Sequence, residues 1–150
     1  MKPRILVTRR WPAAVEARLT ERFDAVLIDA PCSGFGVLSK RADMRWNRSA
    51  KDMKELLDLQ RKLLDSASNV VKPGGRLIYS TCTIEPEENE NQVNTFLSRH
   101  PEFSLEPLGD AFPTDLQTQD GMYVSLPQHT GMDGAFAARL RRNNDSLQGF

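Results

Sequence analysis

An α/β layered fold built on a largely parallel sheet is predicted by three observations. Two apolar runs without polar alternation, residues 24–29 and 76–80, read as strands covered on both faces. Between them Met53, Leu56, Leu57, Leu63, Leu64, Ala67, Val70 and Val71 recur near a 3.6-residue period, the mark of an amphipathic crossover helix. A helix in that position makes its flanking strands parallel. The third observation is the order of elements along the whole chain, β-α-β-α-β-α-β-β.

Each element has a local reason. Ile5-Leu6-Val7 is a short strand candidate, and Pro12 opens a helical stretch with Val15 and Leu19 four apart, ending near Arg22. After the strand at 24–29, Pro31 to Gly36 reads as a loop and 37–48 as irregular and basic. Ser49 with Asp52 forms a capping-box pattern ahead of the crossover helix, and Lys72-Pro73-Gly74-Gly75 stops that helix. Beyond the strand at 76–80, Pro86 suits the first turn of another helix, with Glu87 and Glu88 at its positive end and Val93, Phe96 and Leu97 inside. Residues 103–108, 122–126 and 134–141 read as later strands, with Asp133-Gly134 a turn signal. The tail from Asn143 to Phe150 is polar and expected to fray.

Composition narrows the class. A length of 150 residues suits one domain with a core, and 39% hydrophobic with 27% charged residues is ordinary for a globular protein. No run approaches the ~18 apolar residues of a membrane span, and the N-terminal apolar stretch is too short for a signal peptide. These features predict a cytoplasmic protein with reduced thiols. Two cysteines make no disulfide scaffold, and no Cys or His spacing suggests a metal site. His100 and His129 read as surface residues. The net charge is zero, which by itself does not mark a nucleic-acid binder. Residues 40–62 are nonetheless locally basic: Lys40, Arg41, Arg45, Arg48, Lys51, Lys54, Arg61 and Lys62 face four acids. Such a stripe grips phosphates or is simply a solvated helix face, with the second reading slightly favoured.

Both cysteines follow the apolar strands, Cys32 after Asp29-Ala30-Pro31 and Cys82 after Ser80-Thr81. Parallel strands put both thiols on one rim, where open parallel sheets keep their chemistry. A single cysteine is better read as a small core hydrophobe; two at equivalent strand ends are harder to explain that way. A following helix N-terminus would raise the thiolate fraction of Cys82. Asp29 ends an apolar strand, where a carboxylate is costly unless it binds something or caps the loop. Gly34 and Gly36 resemble half of a phosphate-binding glycine pattern, but a tight turn is the plainer reading. Glu85, Glu87, Glu88 and Glu90 read as helix-start charges rather than an acid-base pair.

The strings Asp29-Ala30-Pro31-Cys32-Ser33-Gly34 and Ser80-Thr81-Cys82, the latter followed by Pro86-Glu87-Glu88-Asn89-Glu90, resemble the fourth and sixth motifs of the Sun/Nop-type RNA (cytosine-5) methyltransferases, of the kind that acts on bacterial small-subunit ribosomal RNA. Asp43 to Trp46, Leu59-Gln60, Lys72-Pro73-Gly74-Gly75 and His129-x-Gly131-x-Asp133-Gly134-Ala135-Phe136 add to the match, which covers about residues 23–142. The resemblance implies a Rossmann-like methyltransferase sheet, mostly parallel with an antiparallel C-terminal hairpin, and S-adenosylmethionine as cofactor. It implies RNA as substrate, with the target cytosine single-stranded or flipped out. Cys82 is then the nucleophile that attacks cytosine C6, and Cys32 assists loss of the C5 proton and release of the adduct. Asp29 lies beside cofactor and base, with Pro31 and Arg45 also on the substrate side.

The family carries a glycine-rich cofactor loop upstream of the Asp-Ala-Pro-Cys motif, whereas residues 1–22 contain no glycine. That leader resembles instead the opening of D-2-hydroxyacid dehydrogenases such as glyoxylate reductase, through Lys2 to Arg10 and Pro12. The expected organisation is therefore a foreign strand-helix leader at 1–22, the C-terminal portion of a methyltransferase domain at 23–142, with the sheet incomplete on its N-terminal side, and a disordered tail at 143–150. Two alternatives stay open: a non-catalytic α/β module or truncated chimera with vestigial cysteines, and a nicotinamide oxidoreductase fragment, which the lack of GxGxxG opposes.

Overall fold

The computed structural model describes residues 3–8, 23–41 and 49–144. They form one six-stranded mixed sheet: β1 (Ile5–Thr8), β2 (Phe23–Asp29), β3 (Val71–Thr81), β4 (Phe103–Leu105), β5 (Tyr123–Ser125) and β6 (Ala135–Arg142). The spatial order is β1-β2-β3-β6-β4, with β5 paired to the opposite end of β6. β1, β2 and β3 run parallel, while β6 is antiparallel to β3, β4 and β5. The antiparallel part is thus larger than the single hairpin expected, since β6 carries a partner strand at each of its ends. The expected helix after Pro12 lies outside the described residues.

Helix α1 (Ala50–Ser68) is the crossover between β2 and β3. Its start is set by the capping box: Ser49 Oγ accepts from the Asp52 amide at 3.2 Å, and Asp52 Oδ2 accepts from the Ser49 amide at 2.8 Å. Those bonds satisfy two groups that a bare helix end leaves unpaired. Leu63, Leu64 and Ala67 on its inner face meet Val26, Ile28, Leu77 and Tyr79 from the sheet, all buried. Each such aliphatic side chain contributes roughly 1.5–3 kcal/mol on leaving water. Phe96, Phe103, Phe136 and Leu140 extend the same core.

The structure revises three local expectations. β3 begins at Val71 rather than 76: α1 ends at Ser68, so Val70 and Val71 are not helical, and Lys72-Pro73-Gly74-Gly75, expected to stop the helix, forms a bulge inside the strand. Phe23 pairs with Val71 and Ala25 with Arg76, so the extra residues of β3 loop outward there. Gly74 makes this possible with a φ of 75°. Second, α2 spans Glu90–Arg99 and not the stretch from Pro86. Residues 86–89 instead make a turn that sends the Glu88 and Asn89 side chains inward, where both are buried. Third, His100 is no surface residue. Its ring stacks on Phe96 with centroids 4.3 Å apart, and its nitrogens lie 2.9 Å from Asp65 and 3.1 Å from Glu102. Of the expected tail, Asn143 still donates its amide to Glu102 O at 2.8 Å.

Candidate active site

Strand register builds the site. Asp29 pairs with Ser80 across β2 and β3, and the Ala30 amide donates to Ser80 O at 2.9 Å, extending the ladder by one step. The two chains therefore leave the sheet side by side. Pro31 cannot donate to a ladder and turns the first of them away. As a result, Cys32 Sγ and Cys82 Sγ lie 3.3 Å apart, with Cys32 half-buried and Cys82 exposed. Asp29 and Pro31, both half-buried, precede Cys32 on the same segment. Arg45 lies outside the described residues.

The loop that carries Cys32 is stitched down by backbone and by buried side chains. The Gly36 amide donates to Cys82 O at 3.0 Å, and the Gly134 amide donates to Gly36 O at 2.7 Å. A Cβ on Gly36 would sit 2.2 Å from Gly134 O, so only glycine permits this approach. Beneath the loop lies Glu88, fully buried. It accepts from the Ser33 amide at 2.8 Å, from Ser33 Oγ at 2.5 Å and from Gln60 Nε2 at 3.0 Å. The Ser33 hydroxyl spends its proton on Glu88 and so accepts from Thr83 Oγ1, 2.8 Å away. Gln60 Nε2 also reaches Pro31 O at 2.9 Å. Asn89 closes the other side, with Oδ1 accepting from Thr81 Oγ1 at 2.6 Å and Nδ2 donating to Thr83 O at 3.0 Å.

Electrostatics bear on the Cys32 thiol. The hydrogen bond with Cys82 pushes the Cys32 thiol far above its ordinary value, and burial and the neighbouring sulfur's charge push the same way. Either sulfur can donate in the sulfur–sulfur contact. Burial also raises Glu85, helped by the charges of Glu87 and Glu88. The basic stripe behaves as a solvated face where it is described. Lys40 pairs with Asp133 at 2.6 Å, Arg61 with Asp58 at 3.1 Å and Lys51 with Glu55 at 3.9 Å.

Sequence reasoning placed Cys82 and Cys32 on one rim, and the two sulfurs do meet there. It did not find the buried carboxylate, since Glu88 was grouped with exposed helix-start charges. For Gln60 a signal existed: a polar residue on the apolar stripe, four after Leu56 and three after Leu57.

Two thiols in contact at the carboxyl rim of parallel strands define a site for cysteine chemistry on a Rossmann-like transferase sheet. The chain matches the family model for "16S rRNA methyltransferase RsmB/F" over residues 6–141. It belongs to that family. It is 46% identical over 129 residues to ribosomal RNA small subunit methyltransferase F of Klebsiella pneumoniae (strain 342), covering 84% of this chain and 27% of the relative. It is 44% identical over 118 residues to ribosomal RNA small subunit methyltransferase B of Sodalis glossinidius, covering 79% and 26%. Among solved structures it resembles NSun6 from Pyrococcus horikoshii with SFG, at TM-score 0.74 and 28% identity over 91% of this chain and 34% of that one. A methyltransferase homolog protein from the same organism superposes at TM-score 0.66 with 32% identity, covering 84% and 41%. The chain thus spans about a quarter of the length of the curated relatives it matches.

Proposed function

We propose that this chain carries the thiol half of a site that methylates C5 of cytosine in RNA, on ribosomal RNA in the cytoplasm. Residues 23–142 are read as the C-terminal portion of the methyltransferase domain, 1–22 as a strand-helix leader and 143–150 as a tail. The reading rests on the 3.3 Å contact between Cys32 and Cys82 at the sheet rim.

Cytosine C5 is too weak a nucleophile to take a methyl group unaided, so a covalent step must activate it. Cys82, exposed and in contact with Cys32, gives up its proton to solvent and attacks C6 as the thiolate. The C6–S bond forms and the C5=C6 electron pair becomes available at C5. S-adenosylmethionine, when bound, supplies the electrophilic methyl group. Cys32 is held as a thiol by its neighbour's hydrogen bond and charge as well as by burial. Once the Cys82 sulfur is bonded to C6, both of its contributions vanish. Cys32 is then released to give its proton to solvent water and, as the thiolate, to take the C5 proton; the C5–H electron pair re-forms the C5=C6 bond, and the C6–S pair leaves on the Cys82 sulfur. The pair thus imposes an order on the two roles.

The residues present fit the reacting end of the cofactor better than its nucleoside. Asp29 stands half-buried at the carboxyl end of β2, the place a group flanking cofactor and base would take. For the nucleoside end, residues 1–22 offer no glycine for a close amide cradle. Pro31 and Arg45 complete the proposed substrate side.

RNA containing 5-fluorocytosine tests the assignment in the presence of S-adenosylmethionine. The expected adduct forms with the wild type and is absent in Cys82→Ala, whereas Cys32→Ala accumulates an adduct on ordinary RNA. Equal crosslinking by Cys82→Ala would refute the assignment. A second reading, an inert module, is favoured by the missing glycines alone; it predicts no label transfer from radiolabelled S-adenosylmethionine and no cofactor binding by calorimetry.

A further inference from the structure

Cys32 and Cys82 approach each other from loops that follow different strands, and backbone amides of Gly34 and Cys82 bear on the Cys32 sulfur. What joins the loops is buried. Glu88, a few residues after Cys82, takes both the amide and the hydroxyl of Ser33, the residue next to Cys32. Gln60 of α1 ties the same carboxylate to Pro31 O on the other side of Cys32. Cys32 is therefore bracketed by two residues that both report to one side chain. Gln60 is fixed in turn by Gln92 of α2, which donates to Gln60 Oε1 at 3.2 Å and to Leu57 O at 2.8 Å. Tyr79 Oη donates to Glu88 O at 2.6 Å, so the backbone of Glu88 is tied to β3 as well. None of the three groups donating to the carboxylate is charged, so its placement serves hydrogen bonding and not an ion pair.

We propose that Glu88 is the positioning residue that sets the separation of the Cys32 and Cys82 sulfurs. The proposal rests on the reading of those thiols as the reacting pair, and it makes the buried carboxylate, beside the Gly36 amide's bond to Cys82 O, the side chain that holds them in register. Its neutral isostere preserves most of the arrangement. In Glu88→Gln the amide oxygen still accepts from the Ser33 amide and Gln60, and the amide nitrogen donates to Ser33 Oγ, whose own proton turns toward Thr83.

The thiols themselves report their spacing without any need for catalysis. Glutathione disulfide oxidises the pair: a bond forms between Cys32 and Cys82, and the two electrons and two protons pass to two glutathione thiols. The equilibrium, followed in glutathione buffers by mass shift, gives the effective concentration of one thiol at the other. In the full chain, Glu88→Ala is expected to lower it at least about tenfold, making the potential less negative by about 30 mV. Glu88→Gln should stay within about twofold of wild type. Phe103→Leu, a core change at β4, should lower the unfolding midpoint yet leave the thiol equilibrium unmoved. The proposal is overturned if folded Glu88→Ala keeps the wild-type equilibrium, or if Phe103→Leu shifts it equally. Should Glu88→Ala fail to fold, Ser33→Ala and Gln60→Leu each remove part of the bracket; a smaller shift in the same direction supports it, and none overturns it. Absence of an RNA adduct in the wild type would sink the proposed function while leaving this equilibrium intact.

Discussion

Replacing Gly36 by alanine adds one methyl group at the point where three segments meet. The new Cβ would stand 2.2 Å from Gly134 O, 2.6 Å from Gly134 C and 2.7 Å from Cys82 O, all backbone atoms that no rotamer change can move. Ordinary contact begins near 3.4 Å, so the loop must retreat by about 1 Å. That retreat stretches two amide bonds, Gly36 to Cys82 O at 3.0 Å and Gly134 to Gly36 O at 2.7 Å. Losing both costs roughly 2 kcal/mol, and the overpacking adds about 1–3 kcal/mol. A total of about 3–5 kcal/mol is a large part of the stability of a domain this size. Urea unfolding reads it directly: with a slope of about 2 kcal/mol per molar, the midpoint falls by about 2 M at unchanged slope. Gly131→Ala gives the contrast. Nothing lies within 4 Å of that Cβ, and only the φ of 67° opposes it, so its cost is about 1–2 kcal/mol. A loss below about 1 kcal/mol in Gly36→Ala would refute the close-approach reasoning.

Two further outcomes concern stability away from the thiols. Ser49→Ala removes the side-chain half of the α1 capping box and should cost about 1 kcal/mol, seen as a lower urea midpoint; no change would mean the helix start is held by other contacts. The Arg76 guanidinium, bonded at 2.7 and 3.0 Å, holds the Glu106 carboxyl below its usual range, with Arg139 and Arg141 adding to it against mild burial. A depressed folded value gives stability that is present above about pH 4.5 and is lost as the pH falls through the folded value. Glu106→Gln should therefore be less stable than wild type at neutral pH, by under about 1 kcal/mol given its exposure, with the gap closing in acid. Urea midpoints measured from pH 7 to 3 check this; a gap that widens in acid contradicts it.

The parallel pair β2 and β3 and the meeting of the thiols were legible because each signal was local. Unalternated apolar runs, a periodic helix between them and one cysteine beyond each run suffice to place both sulfurs on one rim. What escaped depends on distant partners. Glu88 sits among Glu85, Glu87 and Glu90, and nothing in that spacing tells it apart. Its burial follows from donors on Ser33, 55 residues away, and on Gln60 in a different element. The start of α2 shifted for the same reason, since Glu88 and Asn89 turn inward before the helix begins. Lys72-Pro73-Gly74-Gly75 was read as the stop of the helix, which instead ends at Ser68; composition does not say whether such a run ends a helix or bulges within a strand. The pairing of Phe23 with Val71 decides that.

Along β3 and just past it, exposure alternates: Tyr79 and Thr81 are buried, Cys82 is exposed and Thr83 is buried again. Which side chain meets solvent is thus settled by counting parity from the pairing of Asp29 with Ser80. Deleting or inserting one residue between the bulge and Cys82 would swap odd for even. The thiol would turn inward and a threonine hydroxyl, a far poorer nucleophile, would face solvent in its place. Insertions of two would be forgiven more readily than insertions of one.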